Sequence, residues 1–172
     1  QLGGRSLAYF SDIATQLVRT DLSEAAQQFP RLQLYPSESY FSTHSSELDF
    51  APHCYNHIYL GRDHQLWKAE DGGLSFELLA TFGDGGQPLM QFEIPRSKPD
   101  VMYVYQRVGW STAALWKSED GGMNWQALDF PSGPSSMRAG GLAVNPENED
   151  EIWVYFAHQN NDGNKIYRSL DG

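Results

Sequence analysis

The stretch LWKSEDGGMNW, from Leu115 to Trp125, recurs in near copy as LWKAEDGGLSF from Leu66 to Phe76. A third copy begins as IYRSLDG, from Ile166 to Gly172. The copies share an aspartate, and the three are 49 and 51 residues apart: Asp71, Asp120 and Asp171. A period of this size indicates a repeat architecture. In each copy a short strand with apolar and basic residues runs into a turn, so we expect one such turn in every repeat.

A second pattern precedes each turn. It consists of a short apolar strand, a proline, a polar loop and a further strand, in the segments Leu48–Gly61, Phe92–Tyr105 and Leu142–Tyr155. Proline ends the first strand because it has no backbone N–H for a β ladder, and the polar loop turns the chain. An aromatic residue follows each proline by seven or eight positions, at Tyr59, Tyr103 and Trp153.

The two patterns together describe four short antiparallel strands, which is the content of one β-propeller blade. We therefore predict an all-β fold, a β-propeller with four-stranded antiparallel blades, of which about three to four are present. The expected divisions are a degenerate partial blade with an irregular insertion at 1–45, blades at 46–88 and 89–136, and an incomplete blade at 137–172. Because the third turn stops at Gly172, we expect a fragment of a larger propeller, completed by its remaining blades; association of copies is the alternative.

Composition excludes several classes of partner. The net charge is −10, and the acidic residues are dispersed along the chain. Nucleic acids and anionic membranes both attract a positive field, so neither is an expected partner. No apolar run reaches the length of a membrane span, and no membrane insertion is predicted. Cys54 is the single cysteine, so an intrachain disulfide is impossible.

The turn in the Leu115–Trp125 copy has chemistry that suits a tight connection between strands. Asp120 can accept hydrogen bonds from backbone N–H groups of its own turn. Gly121 and Gly122 permit positive φ, where a Cβ would clash. Trp125 follows directly, and burial of its ring would fill space between neighbouring blades. The aspartates are therefore expected to be structural turn residues.

This pattern resembles the Asp-box, or BNR repeat, of sialidases and related propellers, which runs Ser/Thr, any residue, Asp, any residue, Gly, any residue, Thr, Trp. Its matching positions are Ser118, Asp120, Gly122 and Trp125 in one copy, Asp71 and Gly73 in another, and Ser169 and Asp171 in the third. Asn124 stands where Thr is usual, and the first copy has Ala69, Ser75 and Phe76 at the Ser, Thr and Trp positions. The resemblance implies structural turns away from the active face and an extracellular or cell-surface location.

The face opposite the turns is where propeller enzymes of this kind carry their site. It is expected to collect the loops between second and third strands and the loops between blades. Candidate ligand-binding residues there are Trp110, Arg107, Arg62, His158 and Arg138. Trp110 is a candidate platform for sugar stacking, and folding back over a blade is the alternative. The arginines could bind a carboxylate bidentately, whereas solvated surface arginines are the plain alternative.

Several polar side chains have the chemistry of metal ligands or of catalytic carboxylates. The oxygens of Asn160, Asn161, Asp162 and Asn164 suit Ca²⁺, but Asn-Asp-Gly is first of all a hairpin turn. His53, Cys54 and His57 are possible soft ligands without a partner pair elsewhere. No metal site or cofactor is therefore predicted. Asp49, Asp84 and Glu93 lie on or near the inner strands, yet no catalytic carboxylate pair can be assigned.

Function is predicted from the resemblance. The leading hypothesis is a secreted or surface protein of the sialidase or xyloglucanase type, a glycoside hydrolase or a carbohydrate-binding protein. The alternative is a non-enzymatic scaffold, similar to sortilin-type receptors or photosystem assembly factors, that binds a protein or peptide. Either a glycan or a protein ligand is thus the expected partner.

Overall fold

In a computed structural model, the described residues form fourteen β-strands in four antiparallel sheets and contain no helix. The structure describes residues 7–11, 17–21, 31–32, 47–83, 89–108, 112–129, 137–158 and 164–172. No helix there is long and apolar enough to cross a membrane. Much of segment 1–45, predicted to be a degenerate partial blade with an irregular insertion, lies outside these residues.

Each sheet is built from strands that follow one another in sequence. The first sheet contains β1 (Leu7–Ser11), β2 (Leu17–Asp21) and β3 (Arg31–Leu32). The second contains β4 (Glu47–Ala51), β5 (Cys54–Arg62), β6 (Gln65–Ala69) and β7 (Glu77–Thr81). The third contains β8 (Leu89–Glu93), β9 (Met102–Val108), β10 (Thr112–Ser118) and β11 (Gln126–Leu128). The fourth contains β12 (Met137–Asn145), β13 (Asn148–His158) and β14 (Lys165–Ser169).

The second, third and fourth sheets lie face to face in chain order. The first strand of the third sheet, β8, contacts β4 and β5 on one side and β12 on the other. The innermost strands of consecutive sheets are therefore neighbours, as they are around the axis of a propeller. Every connection within a sheet joins antiparallel neighbours, which short turns can do.

The strand β9 shows how this stacking makes the core. Met102 and Val104 pack in a cluster with the second sheet, while Tyr103 and Tyr105 pack in a cluster with the fourth. All four side chains are fully buried. Since side chains alternate between the two faces of a strand, the run Met102–Tyr105 is apolar on both faces because it lies between two sheets.

A close contact fixes the inner edge of the third and fourth sheets. The hydroxyl of Tyr105 occupies the place where a Cβ on Gly140 would lie. Glycine is therefore required on β12 at this position, because any side chain would displace the tyrosine ring from the core.

The two ends of the sheets carry different connections. The turn face carries the proline loops and the Asp-Gly turns, which include residues 70–76 and 119–125. The loop face carries the turns after β5, β9 and β13 and the connections between sheets. The two faces are opposite ends of the same strands, because successive hairpin turns alternate between them.

Candidate functional site

The turn after β10 is held by one carboxylate and one hydroxyl. Asp120 Oδ1 accepts the Asn124 backbone N–H at 2.8 Å and the Ser118 hydroxyl at 2.8 Å. Its Oδ2 accepts the side-chain amide of Asn124 at 2.6 Å. Ser118 Oγ in turn accepts the Gly122 N–H at 2.9 Å. Both carboxylate oxygens are thus engaged within the turn.

The turn after β6 repeats this arrangement with different residues. Asp71 Oδ1 accepts the backbone N–H groups of Leu74 and Ser75 at 2.8 and 3.1 Å. Its Oδ2 accepts the Ser75 hydroxyl at 2.6 Å. After β14, the Ser169 hydroxyl donates to Asp171 Oδ1 at 2.6 Å. Ser75 and Asn124, each four residues after its aspartate, therefore both donate a backbone N–H and a side-chain hydrogen bond to that aspartate.

A backbone hydrogen bond joins each turn to the proline loop, or to the start of the second strand, of its own sheet. The first turn glycine donates in every case, as Gly72 to Asn56 O at 2.9 Å, Gly121 to Asp100 O at 2.8 Å and Gly172 to Asp150 O at 3.0 Å. Each acceptor lies three residues before the aromatic residue of the second strand. The two patterns recognised in the sequence are hence connected by one such bond in each of the second, third and fourth sheets.

A cation lies over an aromatic ring in each of the second, third and fourth sheets. Lys68 Nζ is 5.9 Å from the Tyr59 ring centroid, and Lys117 Nζ is 5.7 Å from that of Tyr103. In the fourth sheet the Arg168 guanidinium is 5.1 Å from the Trp153 centroid. These are cross-strand partners on the second and third strands: Tyr59 with Lys68, Tyr103 with Lys117 and Trp153 with Arg168. Such contacts combine ring burial with attraction of the cation to the ring.

A carboxylate accompanies every one of these cations. Lys68 lies 2.6 Å from Glu70 and Lys117 lies 3.2 Å from Glu119, while Arg168 lies 2.6 Å from Glu151. Burial lowers the pKa of Lys117, but hydrogen bonds and the nearby charge of Glu119 outweigh it and raise the pKa overall. The lysine therefore stays charged, and its position between ring and carboxylate suits a structural cation.

Neighbouring sheets are also tied at the turn face. Tyr103 donates its hydroxyl to the Glu149 carbonyl at 2.9 Å, and Ser97 Oγ donates to Glu149 Oε2 at 2.8 Å. On the other side, His53 Nε2 lies 2.9 Å from the Arg96 carbonyl. These hydrogen bonds join the proline-loop ends of consecutive sheets and therefore hold the sheets together at the turn face.

The pKa directions agree with this structural role. The backbone N–H of Asn124, followed by its side-chain amide, lowers the pKa of Asp120. The Ser75 hydroxyl lowers the pKa of Asp71. Donors that stabilise the charged form make both groups weaker bases, which is the reverse of what a general acid or base at neutral pH needs.

Trp125 connects the turn to the preceding sheet. Its indole N–H donates to the Gly122 carbonyl at 2.8 Å, and its ring meets Phe82 edge-on with centroids 4.9 Å apart. It packs against the core cluster shared by the second and third sheets. The ring therefore lies between two sheets, and the hydrogen bond fixes its orientation.

The loop face contains the candidate ligand residues, of which Arg62 is fully described. Arg62 is the last residue of β5; its side chain is 12% exposed, with Nε 3.7 Å from Asp63 Oδ2. It is thus not a solvated surface arginine. Nearby, the buried Gln106 donates to the Phe82 carbonyl at 3.1 Å, and Phe82 donates its N–H to the His64 carbonyl at 2.8 Å.

The other candidates are placed by their backbones or lie outside the described residues. Arg107 is near the end of β9, His158 ends β13 and Arg138 is the second residue of β12. The turns bring these positions to the loop face with Arg62, and their side chains are outside the described part of the structure. Trp110 also lies outside it.

Metal and carboxylate candidates receive no support from the geometry. Among the described residues no group of three or more His, Cys, Asp or Glu side chains could hold a metal ion. Of the residues considered for Ca²⁺, Asn160, Asn161 and Asp162 lie outside the described ranges. Asp49 Oδ1 accepts its neighbour's N–H at 2.7 Å, Glu93 accepts Gln91 Nε2 at 2.7 Å, and Asp84 is not among the described residues.

The cation–aromatic pairs were not predicted from the sequence. Their signal is present, since Lys68, Lys117 and Arg168 occupy one position of the repeated stretch. Pairing them with the aromatic residue after each proline needed the register between second and third strands. That register depends on the length of the loop-face turns, which differs from sheet to sheet.

A scan against protein-family models and a search of curated proteins gave no match. Solved structures are similar. An ancestral GH74 enzyme matches with a TM-score of 0.68 and 14% identity over 96% of this chain and 21% of its own. The GH74 enzyme of Niastella koreensis matches with a TM-score of 0.61 and 17% identity over 95% of this chain and 26% of its own.

A third similar structure is YCF48 bound to D1 peptide, with a TM-score of 0.50 and 17% identity over 73% of this chain and 36% of that one. The chain thus spans about a fifth to a quarter of the length of the GH74 structures. At these identities the likeness shows the fold alone. The predicted all-β fold, a partial propeller with four-stranded antiparallel blades, is confirmed.

Proposed function

We propose that this chain is part of an Asp-box β-propeller of a secreted or cell-surface protein that binds or hydrolyses glycans at its loop face. The observation that carries the proposal is the position of Arg62, Arg107 and His158 near the ends of three successive second strands. Strands in equivalent places of adjacent blades bring such residues to one surface, where a ligand can touch several blades at once.

The residue chemistry suits an oxygen-rich ligand. Guanidinium groups donate paired hydrogen bonds to hydroxyl and carboxylate oxygens, and an aromatic ring such as Trp110 offers a flat apolar surface to a sugar. Arg62, with its side chain 12% exposed, is held beside Asp63. A partly buried arginine is more fully oriented than a solvated one, so it loses less freedom when a ligand binds.

The similar GH74 enzymes support the enzymatic form of the proposal. Hydrolysis would need two carboxylates across the scissile bond, and these are to be sought on the loop face. The turn-face aspartates are unsuitable because their oxygens already accept hydrogen bonds inside the turns.

The test is calorimetric titration of the chain with a panel of sialylated, β-glucan and xyloglucan oligosaccharides, together with a reducing-sugar assay. We expect binding of at least one class, weakened about tenfold or more by Trp110→Ala. Trp153→Ala is the matched control, since Trp153 is 41% exposed but lies under Arg168 towards the turn face. Absence of binding and turnover across the panel, or equal losses in the two variants, would contradict the proposal.

The second candidate is a protein- or peptide-binding scaffold, favoured by the similarity to YCF48 in a structure bound to D1 peptide. It predicts capture of a polypeptide by the immobilised chain, reduced by Arg62→Ala and not competed by oligosaccharides. Sugar binding without any captured polypeptide would reject it in favour of the first.

A further inference from the structure

A groove of about 370 Å³ lies on the second sheet, where β6 and β7 meet the turn that joins them. All of its lining residues belong to this one hairpin, between Lys68 and Leu79. Leu78 and Leu79 form the apolar part of the lining, and Leu78 is 47% exposed. The groove is thus open to a partner, and its volume is at the lower end of the range of ligand sites.

The rest of the lining is mainly acidic. Glu70, Asp71 and Glu77 contribute three carboxylates, and Lys68 is the one basic residue of the lining. Lys68 already lies 2.6 Å from Glu70, and the oxygens of Asp71 accept hydrogen bonds from within the turn. Among the described residues, no hydrogen bond or ion pair engages the Glu77 carboxylate. The groove therefore combines an apolar surface with an available negative charge.

The third sheet shows that a blade can close without these groups. Glu77 pairs with the lysine of the repeated stretch, and Leu78 pairs with the tryptophan before that lysine. In the third sheet, the partners of the equivalent lysine and tryptophan are Gln126 and Ala127. The same hairpin is built there without the carboxylate and without the large apolar side chain. Blade closure therefore requires neither Glu77 nor Leu78, and both are available for contact with a partner.

A second exposed apolar side chain extends this surface beyond the groove. Leu74 lies on the same turn and is 61% exposed, although its backbone N–H is held by Asp71 Oδ1 at 2.8 Å. A small cation in the groove would leave Leu74 uncovered, whereas a polypeptide with an apolar residue beside a basic one would cover it. Arginine suits the groove because its stem packs on apolar surface while its guanidinium donates paired hydrogen bonds to a carboxylate.

We propose that this groove is a docking site for a partner polypeptide that presents an arginine next to an apolar residue. The stem of the arginine lies on Leu78 and Leu79, its guanidinium pairs with Glu77, and the apolar neighbour rests against Leu74. The groove is at the turn end of the second sheet, whereas the proposed glycan site is on the loop face. The inference is therefore independent of the proposed function and can be tested separately.

The probe is the synthetic peptide Gly-Ser-Leu-Arg-Leu-Ser-Gly with blocked ends, which is titrated into the isotope-labelled chain and followed by NMR. We expect saturable binding of one peptide per chain, with amide shifts at residues 75–79 and methyl shifts at Leu74 and Leu78. The same peptide with citrulline for arginine keeps the shape without the charge and should bind about tenfold more weakly or worse. Added salt should also weaken binding of the arginine peptide, because exposed charges are screened.

Protein variants give a second readout. Glu77→Gln and Leu78→Ala each introduce the residue that the third sheet has at that place, so both variants should fold, which circular dichroism checks. Each should weaken peptide binding about fivefold or more. Gln126→Ala, at the corresponding place of the third sheet, is the matched control and should leave binding within about twofold.

Three results would overturn the proposal: no saturable shift at up to about 5 mM peptide, equal binding of the arginine and citrulline peptides, or shifts confined to the loop face. N-acetylarginine amide is the last arm of the test. Equal affinity for this single residue and for the peptide would show that the groove takes a small cation, and this result would also overturn a polypeptide partner.

Discussion

At the scale of the residue, the two turn glycines after β10 have similar backbones but different surroundings. Gly121 has φ +71° and Gly122 has φ +91°. A Cβ on Gly121 would meet no atom within 4 Å, whereas one on Gly122 would lie 2.6 Å from Leu79 Cδ2 and 3.3 Å from Met102 Sδ. The second glycine is therefore needed for conformation and for the close approach of two sheets, and the first for conformation alone.

This difference predicts unequal effects of alanine. Gly121→Ala should cost about 1–2 kcal/mol, the usual strain of a left-handed conformation for a residue with a Cβ. Gly122→Ala should cost about 2–5 kcal/mol, because overpacking against Leu79 is added. Urea unfolding of both variants checks this, and equal losses of unfolding free energy would contradict it.

Asp120 makes the turn sensitive to acid. Its pKa is lowered chiefly by the backbone N–H of Asn124, so the folded protein binds this proton less readily than the unfolded chain. The stabilisation is thus fully present above the ordinary aspartate pKa of about 3.9 and is lost as pH falls through the lowered folded value.

Asp120→Asn removes the negative charge that accepts the hydrogen bonds of this turn. The variant should be less stable than the parent at pH 5–7, and the difference should shrink below about pH 4. Urea midpoints measured across this range check it. Asp100→Asn is the control, because Asp100 contributes its backbone carbonyl to the turn. A deficit of Asp120→Asn that does not change with pH would count against the role of the carboxylate.

At the scale of the element, each Asp-Gly turn does more than reverse the chain. Its first glycine donates an N–H to the proline loop, or to the start of the second strand, of the same sheet. After β10, Trp125 also packs against the preceding sheet. The turn, the loop and the interface are consequently one cooperative unit, in which the loss of a single large ring is expected to loosen two sheets.

Trp125→Ala measures this coupling. We expect a loss of about 2–4 kcal/mol, somewhat below that of a fully buried tryptophan because the ring is partly exposed. Met123→Ala, two residues away with 74% of the side chain exposed, should change stability by no more than about 0.5 kcal/mol. Similar values for the two variants would show that the ring does not anchor the sheets.

The turns and strands were predictable because local chemistry determines them. Asp120 with Gly121 and Gly122 indicates a tight turn, and Pro95 or Pro146 ends an inner strand. The pairing of Tyr103 with Lys117 was not predictable, since it depends on register across a loop of variable length. The small exposed fraction of the Arg62 side chain was likewise not predictable, because local sequence patterns do not report how segments pack together.

At the scale of the whole molecule, the sheets repeat the same faces. Tyr103 and Tyr105 on β9 are fully buried by the fourth sheet, whereas their counterparts Trp153 and Tyr155 on β13 are 41% and 48% exposed. The described part of the chain places no sheet on that face of β13. These rings are exposed because no described sheet covers this face of the blade. Their exposure therefore does not by itself indicate a sugar-binding site.

The hydrogen bond that joins the third and fourth sheets at the turn face can be tested at Tyr103. Tyr103→Phe removes the hydroxyl that donates to the Glu149 carbonyl and should cost about 1–3 kcal/mol, since a partly buried acceptor loses its partner. Tyr155→Phe, on the same strand face of the fourth sheet and 48% exposed, should cost about 0.5 kcal/mol or less. Thermal unfolding of the two variants checks this, and a loss confined to Tyr155→Phe would refute it.

The three Asp-Gly turns form one structural unit that repeats in successive blades. NMR scalar couplings across hydrogen bonds can detect this unit, from the amides of Gly72, Gly121 and Gly172 to the carbonyl carbons of Asn56, Asp100 and Asp150. We predict that all three couplings are observed. Detection of only one of them, or of none, would contradict the account.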